Sequence, residues 1–295
     1  MLTGSTSFSN QNYLVLNMDH PSCTIELFHT TYLLNGLKQP YYYILIMNEG
    51  AAFSVDFTEY MCKGNTLLFL SPYQFFKLRH YPYTEMSALR FHGDFYCIEY
   101  HKKEVACNGV LFNNIYQQPF VSVNEQTFQE ISACVQKMRR FGDMETEYDT
   151  SILKSYLQLI LALSSKEKQQ QINLANIATS HLINITAFQT VLESYFLKTK
   201  EIAFYADQFG LSVNAFSKKI KRHLGKSPSK LIQERIALEA KKLLHLTNKP
   251  IKEIAADLNF QDEYYFSRYF KKEVGVSPKN FRDQVGISIV AKLSI

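Results

Sequence analysis

One unit occurs twice in this chain. It reads FSKKIKRHLGKSP from Phe216 to Pro228 and FSRYFKKEVGVSP from Phe266 to Pro278, fifty positions later. A repeated unit commits the chain to building the same local structure twice, so the region around it must be two similar modules. Phe216 and Ile220 in the first copy correspond to Phe266 and Phe270 in the second, each pair one helical turn apart on the side that should face a core. Upstream, Ala206 and Leu211 correspond to Ala255 and Phe260, with one extra residue in the second turn. A small alanine, a short turn and a capped helix form the grammar of a helix-turn-helix, whose two helices must approach closely. Ser212 and Asp262 stand where the second helix of each unit needs an N-cap.

The opposite face of each unit also repeats. Asn214, Ser217, Lys218 and Lys221 follow i, i+3, i+4, i+7 spacing, and Tyr264, Ser267, Arg268 and Lys271 follow it in the second copy. Such a stripe suits a helix in the major groove, where amide, hydroxyl and guanidinium groups meet base edges and lysines meet phosphates. On one helix it would read as the wet side of an amphipathic segment, but its repetition on two units favours a reader. Between the units, Ser229 to Leu246 keeps an apolar stripe at Leu231, Ile232, Ile236, Leu243 and Leu244 without a breaker. That predicts a rod of roughly 27 Å at ~1.5 Å per residue. Successive major-groove segments on one duplex face lie ~34 Å apart, so one rod can hold both readers on the same side. Charge agrees: residues 1–165 hold 11 Lys+Arg against 15 Asp+Glu, a balance of −4, whereas 166–295 hold 21 against 12, a balance of +9. A basic half attracts phosphate polymers by counterion release.

The first half has a different rhythm. YYYILIMNEG is an apolar run closed by Gly50, FSVDF alternates Phe53, Val55 and Phe57 with polar residues, KGNTLLFLSP rises from a Gly-Asn turn, and MSALRFHGDF alternates again. Short strands with turn signals predict a sandwich or barrel. After Pro119 the period becomes helical, at Phe128, Ile131, Val135 and Met138 and again at Leu153, Tyr156, Leu157, Ile160 and Leu161. The polar stretch SSKEKQQQ, Ser164 to Gln171, has the composition of a linker. A chain of 295 residues suffices for two domains. The expected organisation is a first domain over 1–163, with strands to about 118 and helices over about 124–163. A linker follows over 164–181, then a helical domain with both units over 182–286 and a tail over 287–295.

These motifs carry a resemblance. IKEIAADLNFQDEYYFSRYFKKEVGVSPKNFR is similar to the signature of the AraC/XylS transcriptional regulators in its alanine, aromatic, FSRxFK, GxSP and final arginine positions. YADQFGLSVNAFSKKIKRHLGKSPSKLIQERIALEAKKLL resembles that family's first unit and linker helix, and the likeness spans about Phe188 to Arg282. It implies sequence-specific binding of double-stranded promoter DNA, with Asn214, Ser217 and Lys218 facing bases in the first unit and Glu263, Tyr264, Ser267 and Arg268 in the second. It also implies RNA polymerase as a partner, promoter control as an activator with repression left open, and a fold of α+β class with a cupin-like barrel ahead of an all-α domain. The barrel would sense a small effector, and the helices after Pro119 would serve a homodimer. One departure is Asn259, where the family usually has glycine in the turn; asparagine tolerates a left-handed backbone better than most residues.

Cupin barrels also occur in metal-dependent enzymes, which need histidines and a carboxylate converging from neighbouring strands. The nearest grouping is His92, His101 and Glu104, with His29 and His80 elsewhere and no closely spaced His-x-His pair. No phosphate loop or nucleophile elbow appears, so neither catalysis nor a cofactor nor a metal is expected. A further rival is a module that works through protein contacts alone, without an effector; it predicts degraded reader stripes, yet Lys218 and Arg268 are present. The aromatic residues Tyr41, Tyr42, Tyr43, Phe53, Phe57 and Phe69, with Phe75, Phe76, Phe91 and Phe95, could line an effector pocket or simply fill a core. No apolar run reaches the ~18 residues of a membrane span, and five scattered cysteines argue against a disulfide framework. The expected location is the cytoplasm.

Overall fold

A computed structural model describes residues 23–56, 58–96, 98, 110–141, 146–178 and 185–287. Its first part contains strands β1 (Cys23–His29), β2 (Tyr42–Met47), β3 (Ala52–Val55), β4 (Thr58–Met61), β5 (Thr66–Leu70), β6 (Phe76–His80), β7 (Glu85–Phe91) and β8 (Phe120–Ser122). A short helix, α1 (Thr30–Leu34), follows β1. The strands pair antiparallel in two sheets, β1-β7-β2-β5-β8 and β4-β3-β6.

Every residue of β2 and β5 is buried, because both faces of the larger sheet are covered. The period-2 pleat divides them. Ile44, Ile46, Leu67 and Phe69 face one core, with α2 (Glu125–Met138) and α3 (Glu147–Ala178). Tyr43, Leu45, Met47, Leu68 and Leu70 face another, with Phe53, Phe76 and Leu78 of the smaller sheet. The β half is therefore three layers: helices, large sheet, small sheet. Ser54 of β3, a polar residue expected to face solvent, is also buried. Most of the aromatic residues that could have lined a pocket are core, including Tyr42, Phe53, Phe69 and Phe91; Phe57 lies outside the described residues.

Helix α3 runs to Ala178, through the polar stretch whose composition suited a linker. It is helical because its polar side chains have partners on the β8–α2 corner. The buried Lys168 ammonium donates to the carbonyls of Gln118 at 2.9 Å and Phe120 at 2.7 Å, and burial pushes its pKa down to about 8. Glu167 accepts from Thr127 Oγ1 at 3.0 Å, and the Ser164 hydroxyl turns back to the Ile160 carbonyl at 2.7 Å.

The second part is all helical: α4 (Ile185–Tyr195), α5 (Ile202–Asp207), α6 (Val213–Leu224), α7 (Pro228–Leu246), α8 (Ile251–Asp257), α9 (Glu263–Val274) and α10 (Pro278–Val285). One core runs through all of it, from Phe188 and Leu192 of α4 to Phe281 and Val285 of α10. Each fully buried Phe contributes ~1.5–3 kcal/mol, and Phe188, Phe216, Phe266 and Phe270 are all 0 % exposed.

Candidate nucleic-acid interface

The repeated unit is a length of helix together with its punctuation. Ser212 Oγ accepts from the Ala215 amide at 3.3 Å to open α6, and Asp262 Oδ1 accepts from the Tyr265 amide at 2.7 Å to open α9. Gly225 (φ 71°) and Gly275 (φ 94°) close them in the left-handed conformation, each amide returning to a carbonyl four residues back. Two residues later, Ser227 and Ser277 cap the following helices, accepting from Lys230 and Asn280 amides at 3.3 and 3.2 Å, with Pro228 and Pro278 in the first turn. The GxSP motif thus ends one helix and starts the next in the space of four residues.

Helices α5–α6 and α8–α9 form the two units. Ala206 is 0 % and Ala255 2 % exposed, which lets the helices of each pair close on one another. Phe216 and Ile220 point inward from α6, and Phe266, Phe270 and Val274 from α9. On the outer faces, Asn214, Lys218 and Lys221 are exposed and Ser217 is half-buried; Tyr264, Arg268 and Lys271 are exposed and Glu263 and Ser267 half-buried. Val213 and Tyr265, 45 % and 51 % exposed, stand beside these residues in the first turn of each helix.

Helix α7 spans 19 residues, ~28 Å at ~1.5 Å each, and carries both units. Arg235 ties it to α4 through Glu193 at 2.8 Å, with its guanidinium 4.0 Å over Phe196. Tyr269 Oη donates to the Gln233 carbonyl at 2.8 Å, and Lys230 pairs with Glu273 at 2.9 Å, tying α9 to α7. Arg282, the final arginine of the motif, donates to the carbonyls of Leu244 at 3.3 Å and Lys249 at 2.7 Å. It satisfies the end of α7, and burial lowers its pKa.

The β half docks on α7 and α10. Tyr73 enters the helical core beside Phe281 and donates to Gln284 Oε1. His92 Nε2 donates to the Gln284 carbonyl and His245 Nδ1 to the Gly286 carbonyl, each at 2.9 Å. His92 is thus a packed residue of this seam; His29 bonds Thr31 Oγ1 at 2.7 Å, and His101 and Glu104 lie outside the described residues. Among the described residues no three His, Cys, Asp or Glu side chains are grouped to hold a metal ion, and no helix is long and apolar enough to cross a membrane. Lys221 lies at the edge of the cleft between the halves, near Thr58 and Tyr60.

Residues 205–284 match the family model described as a helix-turn-helix domain. The HTH-type transcriptional activator RhaS of Escherichia fergusonii is 24% identical over 54% of this chain and 56% of its own length. The protein of the same name from Salmonella paratyphi B is 26% identical over 54% and 56%. The chain spans about half the length of the curated relatives it matches. Among solved structures, the C-terminal domain of AraT, a response regulator from Geobacillus stearothermophilus, is 30% identical over 35% of this chain and 87% of that one, with a TM-score of 0.33. Residues 205–284 therefore carry a helix-turn-helix domain, and the chain is similar there to proteins named as HTH-type transcriptional activators.

Proposed function

We propose that this protein is a sequence-specific, double-stranded-DNA-binding transcription regulator of the cytoplasm. The observation that carries this reading is the pair of exposed basic faces on two N-capped helices, α6 and α9, held by the single helix α7. In this reading Asn214, Ser217, Lys218, Glu263, Tyr264, Ser267 and Arg268 face base edges, and Lys221 and Lys271 meet phosphates. The relatives named as transcriptional activators support an activator, which in this reading works with RNA polymerase. The seam through Tyr73, His92 and Gln284 supports control by a small effector, since a change in the β half reaches α10 and α7 directly. Exposed Tyr148, Leu159 and Leu174 on α3 support a homodimer.

The test is selection of duplexes by the full chain from genomic fragments, followed by titration over a range of salt. The recovered sites should carry two half-sites about one helical turn, ~10–10.5 bp, apart. Equal affinity for every duplex, abolished by salt, would overturn the reading.

A further inference from the structure

The two units also touch each other away from α7. In the turn between α8 and α9, Asn259 stands at φ 57°, a conformation that favours glycine. Its side-chain amide donates to the carbonyl of Leu197 at 3.2 Å, in the loop leading from α4 into α5. Beside it the Lys200 ammonium lies 3.9 Å from the centroid of the Phe260 ring, within range of a cation–π contact. Phe260 is itself packed against Tyr265, Phe266 and Tyr269 of α9. The entrance of the first unit therefore grips the turn that starts the second reader helix.

This contact lies apart from the ties to α7. Tyr269–Gln233 and Lys230–Glu273 attach α9 to α7, and the shared core packs both units on that same helix; ties that all run through α7 leave rolling about it as the softest freedom. A second attachment off that helix removes the freedom. Asn259 is also where the chain departs from the glycine of the family it resembles: a glycine would make the same turn and could not reach Leu197.

We propose that the Asn259–Leu197 and Lys200–Phe260 contacts form a clasp that fixes the separation and relative rotation of α6 and α9, so that the chain reads the spacing between two half-sites as well as their sequences. The clasp rests on the reading that α6 and α9 bind DNA, and Asn259 and Lys200 act in it as positioning residues. One inserted base pair moves the second half-site by ~3.4 Å along and roughly 34° around the duplex. A clasped pair cannot follow both motions, so one helix gives up base contacts; an unclasped pair can roll about α7 and keep more of them.

The experiment titrates the full chain with its selected genomic site and with copies carrying one base pair inserted or removed between the half-sites. Asn259→Gly keeps the left-handed turn and removes the amide, and Lys200→Met keeps the stem and removes the charge. The wild type should lose affinity about tenfold or more on altered spacing. The double variant should bind the native spacing nearly as well as wild type and lose less than about threefold on altered spacing. A double variant that keeps the wild-type spacing penalty overturns the clasp, as does a wild type that selects its sites without any spacing penalty. A wild type that selects no site at all overturns the DNA-binding reading itself, which is seen on native-spaced duplexes alone. Should the double variant fail to fold, Asn259→Gly by itself decides, by the same ratio of affinities.

Discussion

Tyr73 of the β half stands with its ring 5.6 Å from that of Phe281, inside the core of the helical half. Its backbone is at φ 63°, a strained conformation for a bulky residue, costing ~1–3 kcal/mol, and only 7% of the residue is exposed. The strain aims the ring across the seam. Replacing it should loosen that seam specifically: Tyr73→Ala is expected to cost about 3–5 kcal/mol, an aromatic truncation in which alanine keeps the Cβ and hence the backbone strain. Hydrogen exchange should show α10 losing protection while α6 and the central strands β2 and β5 keep theirs. Unchanged protection in α10 would contradict a tight seam.

Lys241 donates to the Pro72 carbonyl at 3.0 Å across the same seam. The residue is half-buried, and desolvation at the seam pushes its pKa down to about 8 from 10.5, with Asp56 opposing the shift. A lysine with a lowered folded-state pKa binds fewer protons folded than unfolded between those two values. Stability should therefore rise with pH from about 8 toward 10.5, by at most ~1.4 kcal/mol per unit from this group. Lys168 titrates in the same window, so the test is the difference between wild type and Lys241→Met. The variant should melt with a shallower pH slope above pH 8; parallel slopes would remove Lys241 as the cause.

What could be read from sequence alone was what is local. The caps Ser212 and Asp262, the GxSP punctuation and the rod of α7 depend on neighbours a few residues away, so their spacing revealed them. Long-range partners were hidden. The seam joins Tyr73 and His92 to Gln284, some two hundred residues on, and nothing in either segment marks the pairing. The stretch Ser164 to Gln171 of helix α3 has a linker's polar composition, but the β8–α2 corner supplies partners for its Glu167 and Lys168. Strands β4 and β6 are short, four and five residues in TEYM and FKLRH, too few for their pattern to stand out from the flanking loops. Asn259 was recognised as tolerating its turn, but the donor reaching Leu197 was not foreseeable from it.

The two N-caps are chemically unequal. Asp262 brings a carboxylate to the positive end of α9 at 2.7 Å, while Ser212 offers a neutral hydroxyl at 3.3 Å to α6. Asp262→Ala should therefore cost about 1–2 kcal/mol and Ser212→Ala about 0.5–1 kcal/mol. Urea denaturation measures both, and a larger loss for Ser212→Ala would reverse the ranking. Raising salt should narrow the gap, because only the aspartate draws on charge.

Arg268 and Lys221 separate specificity from affinity. Both are exposed on the outer faces, but Arg268 carries a planar fork able to bond one base at two points, whereas Lys221 is a point charge at the C-terminal end of α6. Arg268→Ala should cost ~1–3 kcal/mol at one or two base positions and leave other positions discriminated as before. Lys221→Ala should weaken binding to all sequences about equally and reduce the slope of log affinity against log salt by about 1, the signature of one lost phosphate contact. Titrating each variant against single-base substitutions of the selected site, at several salt concentrations, distinguishes the two. A base-selective loss for Lys221→Ala would place its ammonium in the groove, and a uniform loss for Arg268→Ala would move that side chain onto the backbone.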